Sequence, residues 1–205
     1  MTGSEIMRLE GSSLLMSADI PGLSLEVLAE KHVEPLLRVG TDPLLWEWTS
    51  VRCTTEPALR AYLASAMRDH ATGEALPLAT VYRGEVVGTT RFAAIASNHK
   101  RCEIGWTFVK RDLWGSGVNT AVKWLMLRHA FDISGMNRVE FKTDLRNERS
   151  RRALASIGAK EEGILRKHMV CDDGHVRDSV YFSVIQQEWP AVSIRLLEKA
   201  RGKGL

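Results

Sequence analysis

The stretch that decides the fold is Arg111-Asp-Leu-Trp-Gly-Ser-Gly-Val-Asn-Thr120, which runs straight into Ala-Val-Lys-Trp-Leu-Met-Leu-Arg-His-Ala-Phe at 121–131. Nine of the fourteen residues 118–131 are apolar, so a helix here buries a broad face against a sheet. Upstream, Cys-Glu-Ile-Gly-Trp-Thr-Phe-Val at 102–109 is rich in β-branched and aromatic residues and reads as a strand. The unit is strand, glycine loop, helix. The first-turn N–H groups of such a helix have no intrahelical acceptor and sit at the positive end of its dipole, which suits an anion. Gly115 and Gly117 would let a phosphate approach the backbone, and Asn119 or Thr120 is expected to cap the first turn. A Gly-x-Gly also occurs in ordinary turns, so the loop alone reads as either. No Gly-Lys-Ser/Thr follows, which excludes a Walker loop. Thr120 stands where a dinucleotide fingerprint needs its third glycine.

Outward from this unit, alternation predicts strands at 23–29, 76–82, 86–94, 138–144, 160–171 and 175–185, seven with 102–109. Arg-Gly-Glu between the second and third of these, and Asp-Asp-Gly between the last two, are hairpin signals. Helices are expected at 31–39, from Thr55 to about Gly73, from Asn147 to 157, and at 188–200, with Thr55 and Asn147 as N-caps. Most strand pairs are hairpin-linked, and the two flanking the glycine-loop helix are expected to be parallel. The fold class is therefore α/β (α+β): a mixed, mostly antiparallel seven-stranded sheet flanked by helices. Residues 1–21 read as a loosely patterned extension, 22–190 as the domain, and 191–205 as a last helix and frayed basic tail of the same domain.

The 44% hydrophobic and 26% charged fractions are those of a soluble globular domain, and 205 residues suffice for one full core. A net charge of +3 with no aromatic-plus-basic platform argues against nucleic-acid binding. No apolar run approaches a membrane span, and no charged-then-apolar leader pattern is present. Cys53, Cys102 and Cys171 are far apart and read as reduced thiols of a cytoplasmic protein. Neither His-Glu-x-x-His nor paired cysteines occur, so no metal is expected.

Strand, Gly-x-Gly turn, helix, strand, then Asn147-Glu-Arg-Ser150 and Ile157-Gly-Ala: this order resembles the GNAT N-acetyltransferases, within them the RimJ/RimL ribosomal-protein N-terminal acetyltransferase branch. Gly163-Ile-Leu-Arg and Asp172-Asp-Gly-His-Val-Arg-Asp-Ser179 add to the likeness, which covers roughly residues 22–190. The family's phosphate signature, Gln/Arg-x-x-Gly-x-Gly/Ala, falls on Trp114-Gly115-Ser116-Gly117-Val118-Asn119. Trp114 departs from the usual Gln or Arg, and Asn119 from a small residue. The resemblance implies binding of acetyl-CoA through Leu113, Trp114, Gly115, Ser116, Gly117, Val118, Asn119 and Thr120, with Phe108, Val109, Asn147 and Ser150 along the pantetheine. The tyrosine that many members place seven residues after the asparagine is Leu154 here. The branch implies Ser150 as the proton source for the thiolate instead.

Transfer from a thioester to an amine requires that the amine lose a proton, that the oxyanion be stabilised and that the thiolate leave. No cysteine nucleophile is needed, and Cys102 reads as a small buried residue. Glu103 is the first candidate base, expected early in the strand on the face opposite Ile104 and Trp106. A rim carboxylate paired with an arginine is the plainer reading, and both stand. Ser150 is equally readable as a first-turn serine of a helix, and Asn147 as that helix's cap. Arg146, Arg149, Arg151 and Arg152 meet coenzyme phosphates or form a solvated face. Trp46 and Trp48 line an acceptor mouth or sit in the core. His168 and His175 are weaker bases. The expected function is acetyl transfer from acetyl-CoA to a primary amine, a protein N-terminus or a small molecule. A non-catalytic acyl-CoA-binding regulator and a nucleotide-phosphate binder are the alternatives. Expected partners are this acyl donor and an amine acceptor, with no nucleic acid and no membrane; a homodimer is compatible with the resemblance.

Overall fold

Alternation in the strands and left-handed residues in the turns produce one mixed sheet, seen in a computed structural model that describes residues 14–205. In chain order the elements are β1 (Leu14–Met16), β2 (Leu23–Val27), α1 (Val33–Gly40), α2 (Glu56–Ala71), β3 (Leu76–Tyr82), β4 (Glu85–Ala96), β5 (Arg101–Val109), α3 (Val118–Arg128), β6 (Arg138–Asp144), α4 (Glu148–Ser156), β7 (Lys160–Val170), β8 (Val176–Ile185) and α5 (Trp189–Arg201). The sheet order is β1-β2-β3-β4-β5-β6-β8-β7. Seven strands are those expected from the sequence. The eighth, β1, comes from the stretch read as an extension and pairs antiparallel with β2 at the edge; residues 1–13 of that stretch lie outside the described residues.

Local chemistry explains the connections. In the β3–β4 hairpin Arg83 and Gly84 both take positive φ, 51° and 80°, the conformation that matches strand twist in a two-residue turn. Thr55 caps α2 by accepting the Ala58 N–H, and Asn147 caps α4 by accepting the Ser150 N–H at 3.0 Å. All pairings are antiparallel except β5–β6, which is parallel and spans three residue pairs, Arg101↔Arg138 to Glu103↔Glu140.

Two apolar layers sandwich the sheet. One unites Leu78, Phe92, Ile104, Val139 and Phe141 with Val122 and Met126 of α3 and Val192 and Leu196 of α5. The other joins Ala79 and Phe108 to Leu36 of α1, Leu59 and Leu63 of α2, and Trp46. Leu78 and Ala79, neighbours in β3, face opposite layers as strand alternation requires. The tail is docked rather than frayed. The Lys203 N–H donates to Ala200 O, and Leu205 packs on the α3 layer.

Candidate functional site

The site arises where β5 leaves its neighbour. Thr89 faces Phe108 and Arg91 faces Gly105, so Thr90 alone stands opposite Trp106 and Thr107. This is a β-bulge, with Trp106 at φ 50°. The extra residue changes which faces meet what. Ile104 and Val109 pack in the α3 layer, and Thr107 Oγ1 bonds Lys123 Nζ of α3, whereas Phe108 packs in the α2 layer. Trp106 is thereby turned onto Arg91, which also lies over Tyr62 of α2. This corrects the sequence expectation that Trp106 shares the face of Ile104, because plain alternation fails across a bulge.

Beyond Glu103 the strands β5 and β6 part, and a cleft of about 690 Å³ opens between them. Its walls include Glu103, Thr107, Val109, Lys123, Phe141 and Lys142, and its mouth includes Trp114, Gly115, Gly117, Asn119 and Arg149. Trp46, Trp48, Phe108, Leu113, Thr120, Asn147 and Ser150 also line it.

At the mouth, Gly117 occupies the N-cap position of α3 with φ 93° and no side-chain cap. The expected capping by Asn119 or Thr120 is thereby corrected: both lie inside the first turn. The first helical bond runs from the Ala121 N–H to Gly117 O, so helix geometry leaves the Asn119 and Thr120 amides without intrahelical acceptors. Val118 is buried and donates its N–H to Ser116 Oγ at 3.4 Å, while that hydroxyl donates to Leu113 O. Gly117 is required twice over. Its φ is left-handed, and a Cβ there would come within 2.7 Å of Lys203 Cβ. Trp114 does what the departing signature left unassigned. Its indole N–H donates to Val109 O at 3.0 Å, and the Arg149 guanidinium lies 3.7 Å from its ring centroid. Lys110 N donates to Val87 O, which makes Val109 and Gly88 a non-hydrogen-bonded pair and turns the Val109 amide toward the cleft. Of the arginine cluster, Arg146 is held by Asp144, Arg151 by Glu161 and Arg152 by Glu148. Arg149 forms no ion pair among the described residues. Free first-turn amides, the Val109 amide and a ring of cations that includes Lys199 and Lys203 are the donor set a phosphorylated, amide-bearing coenzyme needs.

At the inner end Glu103 is 4% exposed, and Lys142 Nζ lies 2.7 Å from its Oε2. Its Oε1 lies over Gly105, where a Cβ would sit 3.3 Å away. Burial raises the carboxyl above its ordinary range, and the Lys142 ammonium opposes this. The carboxylate itself is buried rather than at a rim, and its partner is a half-buried lysine, not an arginine. Arg177 is buried nearby, and burial lowers its pKa. Asp144 experiences burial that raises its carboxyl, but bonds from Arg146 more than offset it and the net shift is downward. Ser150 contributes its backbone amide to the Asn147 cap, leaving its hydroxyl to line the cleft. Trp46 is 2% exposed, donates its indole N–H to Gly40 O and packs edge-on to Tyr62, so it forms the wall as a core residue. Trp48 is half-buried under Arg146. His168 bonds Ser179 Oγ and His175 approaches Asp144 at 3.6 Å, both outside the cleft lining. Lys123, Lys142 and Arg177 were missed by sequence reasoning. Lys142 fell on the supposedly outward face of β6, whereas Lys123, a charge inside an apolar helical run, was a visible signal.

Among the described residues no group of three or more His, Cys, Asp or Glu side chains is placed to hold a metal ion, and no helix is long and apolar enough to cross a membrane.

Residues 23–160 match the model of the acetyltransferase (GNAT) domain. The chain is 30% identical over 102 residues to the uncharacterised N-acetyltransferase YoaA of Bacillus subtilis (strain 168), covering 50% of this chain and 56% of that one. It superposes with a TM-score of 0.82 on a crystal structure from T. thermophilus, provisionally named an acetyltransferase, at 37% identity over 92% of this chain and 97% of the other. Mycobacterium smegmatis RimJ, in complex with CoA-disulfide, superposes with a TM-score of 0.73 at 22% identity over 87% and 90% of the two chains, a likeness of fold alone. With more than half of its length matched by the family model, the chain belongs to the GNAT acetyltransferase family.

Proposed function

We propose that the protein transfers an acetyl group from acetyl-CoA to a primary amine by direct attack within a ternary complex. The observation that carries this reading is the continuity of one cleft from the open amides of α3 to the buried carboxylate of Glu103. The donor end is suited to a pyrophosphate: Gly115, Gly117, Asn119 and Thr120 present backbone, and Arg149, Lys199 and Lys203 present positive charge. The Val109 amide offers a strand-like partner to pantetheine. The acceptor end is suited to an ammonium group that must be deprotonated. A primary ammonium titrates near 10, so at neutral pH a base is needed. Glu103, raised by burial and steadied by Lys142, takes that proton directly or through one water. The amine then attacks the acyl carbon, the carbon–sulfur bond breaks, and Ser150 is the hydroxyl in reach of the cleft at α4. Trp48 and the wall around Trp46 bound the acceptor entrance. The reduced, buried thiols support a cytoplasmic setting.

The test is a panel of acceptors, with peptides bearing free N-termini beside polyamines and amino acids, followed by thiol release from acetyl-CoA. Turnover with one class names the acceptor. Calorimetry with CoA, ATP and NAD tests the donor, and tight binding of CoA alone is expected. Binding of CoA without turnover of any amine would favour the regulatory reading.

A further inference from the structure

One group in the cleft has no part in the mechanism above. Lys123 lies on α3 between Val122 and Trp124, is 7% exposed, and reaches past the sheet into the gap between β5 and β6. Its Nζ donates to Thr107 Oγ1 at 2.9 Å and sits 5.7 Å from the Phe141 ring centroid. Thr107 Oγ1 is in turn linked to Thr90 Oγ1 at 2.7 Å and donates to Gly105 O at 3.2 Å. Among the described residues Lys123 forms no ion pair. A buried ammonium with a single neutral partner is costly, and proteins keep one where an anion arrives or where a proton must move. Of the other ionisable groups of the cleft, Arg152 is paired with Glu148, Lys199 donates to Ser156 Oγ and Tyr62 lies under Arg91. Glu103, Lys142 and Arg177 line the inner end, with Glu103 and Lys142 paired, while Arg149, Arg152, Lys199 and Lys203 line the mouth.

We propose that the missing counter-ion of Lys123 is the coenzyme thiolate: Lys123 meets the departing sulfur and gives it a proton. This rests on the acetyl-transfer reading. In the step, the acceptor nitrogen bonds to the acyl carbon, the carbon–sulfur bond breaks, and its electron pair goes to sulfur. One N–H proton of Lys123 moves to that sulfur, leaving a neutral amine and a free thiol. The proton lost by the acceptor goes to Glu103, and exchange with water restores both groups. The direction is favourable. Burial holds the Lys123 ammonium down at about 7, whereas an alkyl thiol titrates near 8.5, so the proton passes from the stronger acid to the more basic anion. Ser150 could only share its hydroxyl with the thiolate, since an alcohol is the weaker acid of the two.

The readout is the thiol titration of bound CoA, followed by thiolate absorbance in the ultraviolet, with no turnover involved. In the unaltered protein the bound thiol is expected to titrate about one unit below free CoA, which still leaves it the weaker acid of the pair. In Lys123→Met, which keeps chain length and removes a buried charge, the depression should disappear while CoA still binds. Lys123→Gln serves if the methionine variant does not fold. A bound thiol that titrates like free CoA in the unaltered protein, or equally low in the variant, overturns the proposal. Failure of CoA to bind the unaltered protein would instead overturn the acetyl-transfer reading on which the proposal rests.

Discussion

Replacing Glu103 by Gln keeps the side chain's volume and removes its basicity. The amide oxygen still accepts from Lys142 Nζ, which lies 2.7 Å from Oε2, so the hydrogen bond survives and only its charge assistance is lost, about 1 kcal/mol. Lys142 is 23% exposed in its side chain and keeps access to water. The melting temperature should therefore move by about 2–4 °C at most. The trend with pH has a definite sign. Burial raises the Glu103 carboxyl in the folded state, so the native protein binds more protons than the unfolded chain between 4.5 and that raised value. Native stability falls as pH rises through this window, and the Gln variant lacks the loss. Its stability relative to the parent should improve from acid toward neutral pH. Turnover should fall roughly ten- to a thousand-fold, about 1.4–4 kcal/mol of barrier, with CoA affinity unchanged. The defect should narrow at high pH, where more acceptor is already neutral. Parallel thiol-release assays and thermal melts across the pH range measure both. Near-full activity of a folded Glu103→Gln protein from about pH 6 to about pH 10 would refute the assignment of the base.

Ser150→Ala should reduce turnover only a few-fold and leave stability untouched, because the Asn147 cap uses the Ser150 amide and not its hydroxyl; a melt beside the activity assay checks both. Asn119→Asp puts a carboxylate in the first turn of α3, which favours the helix and repels a phosphate. CoA affinity should drop at least about tenfold with no loss in melting temperature, and unchanged affinity by calorimetry would make the loop a plain turn. The thiols of Cys53 and Cys102, pushed by burial up to about 11 and about 12, should resist an aromatic disulfide reagent until the protein is unfolded, and strong reductant should leave activity intact.

Strands, hairpins and caps were legible because their signals are local. The Thr55 and Asn147 caps and the parallel β5–β6 pairing follow from residue types and spacing. The glycine loop was legible as a turn at a helix start, but its cap was not. Asn119 has the better capping chemistry, yet the left-handed Gly117 ends the loop one residue before α3 begins. Three things were hidden because they are tertiary. The bulge at Trp106 breaks period-two alternation and depends on what β4 offers opposite. Lys142 looks outward from β6 alone, and only the packing of Glu103 turns that face inward. The tail's contact with Gly117 joins segments more than eighty residues apart. Lys123 could have been suspected from the sequence, since a charge amid Val122, Trp124 and Leu125 must be expelled or used.

The short parallel pairing of β5 and β6 has a mechanical consequence. Three residue pairs join one half-sheet of five strands to another of three, and beyond Glu103 each half carries a raw internal edge. A guest that lies along that edge would act as a removable strand, supplying partners to amides such as that of Val109. Amide exchange at Val109 should then be fast in the empty protein and slow when the groove is filled, while the β2–β3–β4 amides stay protected throughout. The two halves, joined at this hinge and otherwise tied through α3 and α5, would gain stiffness from their ligand, and the melting temperature would report its arrival before any chemistry takes place.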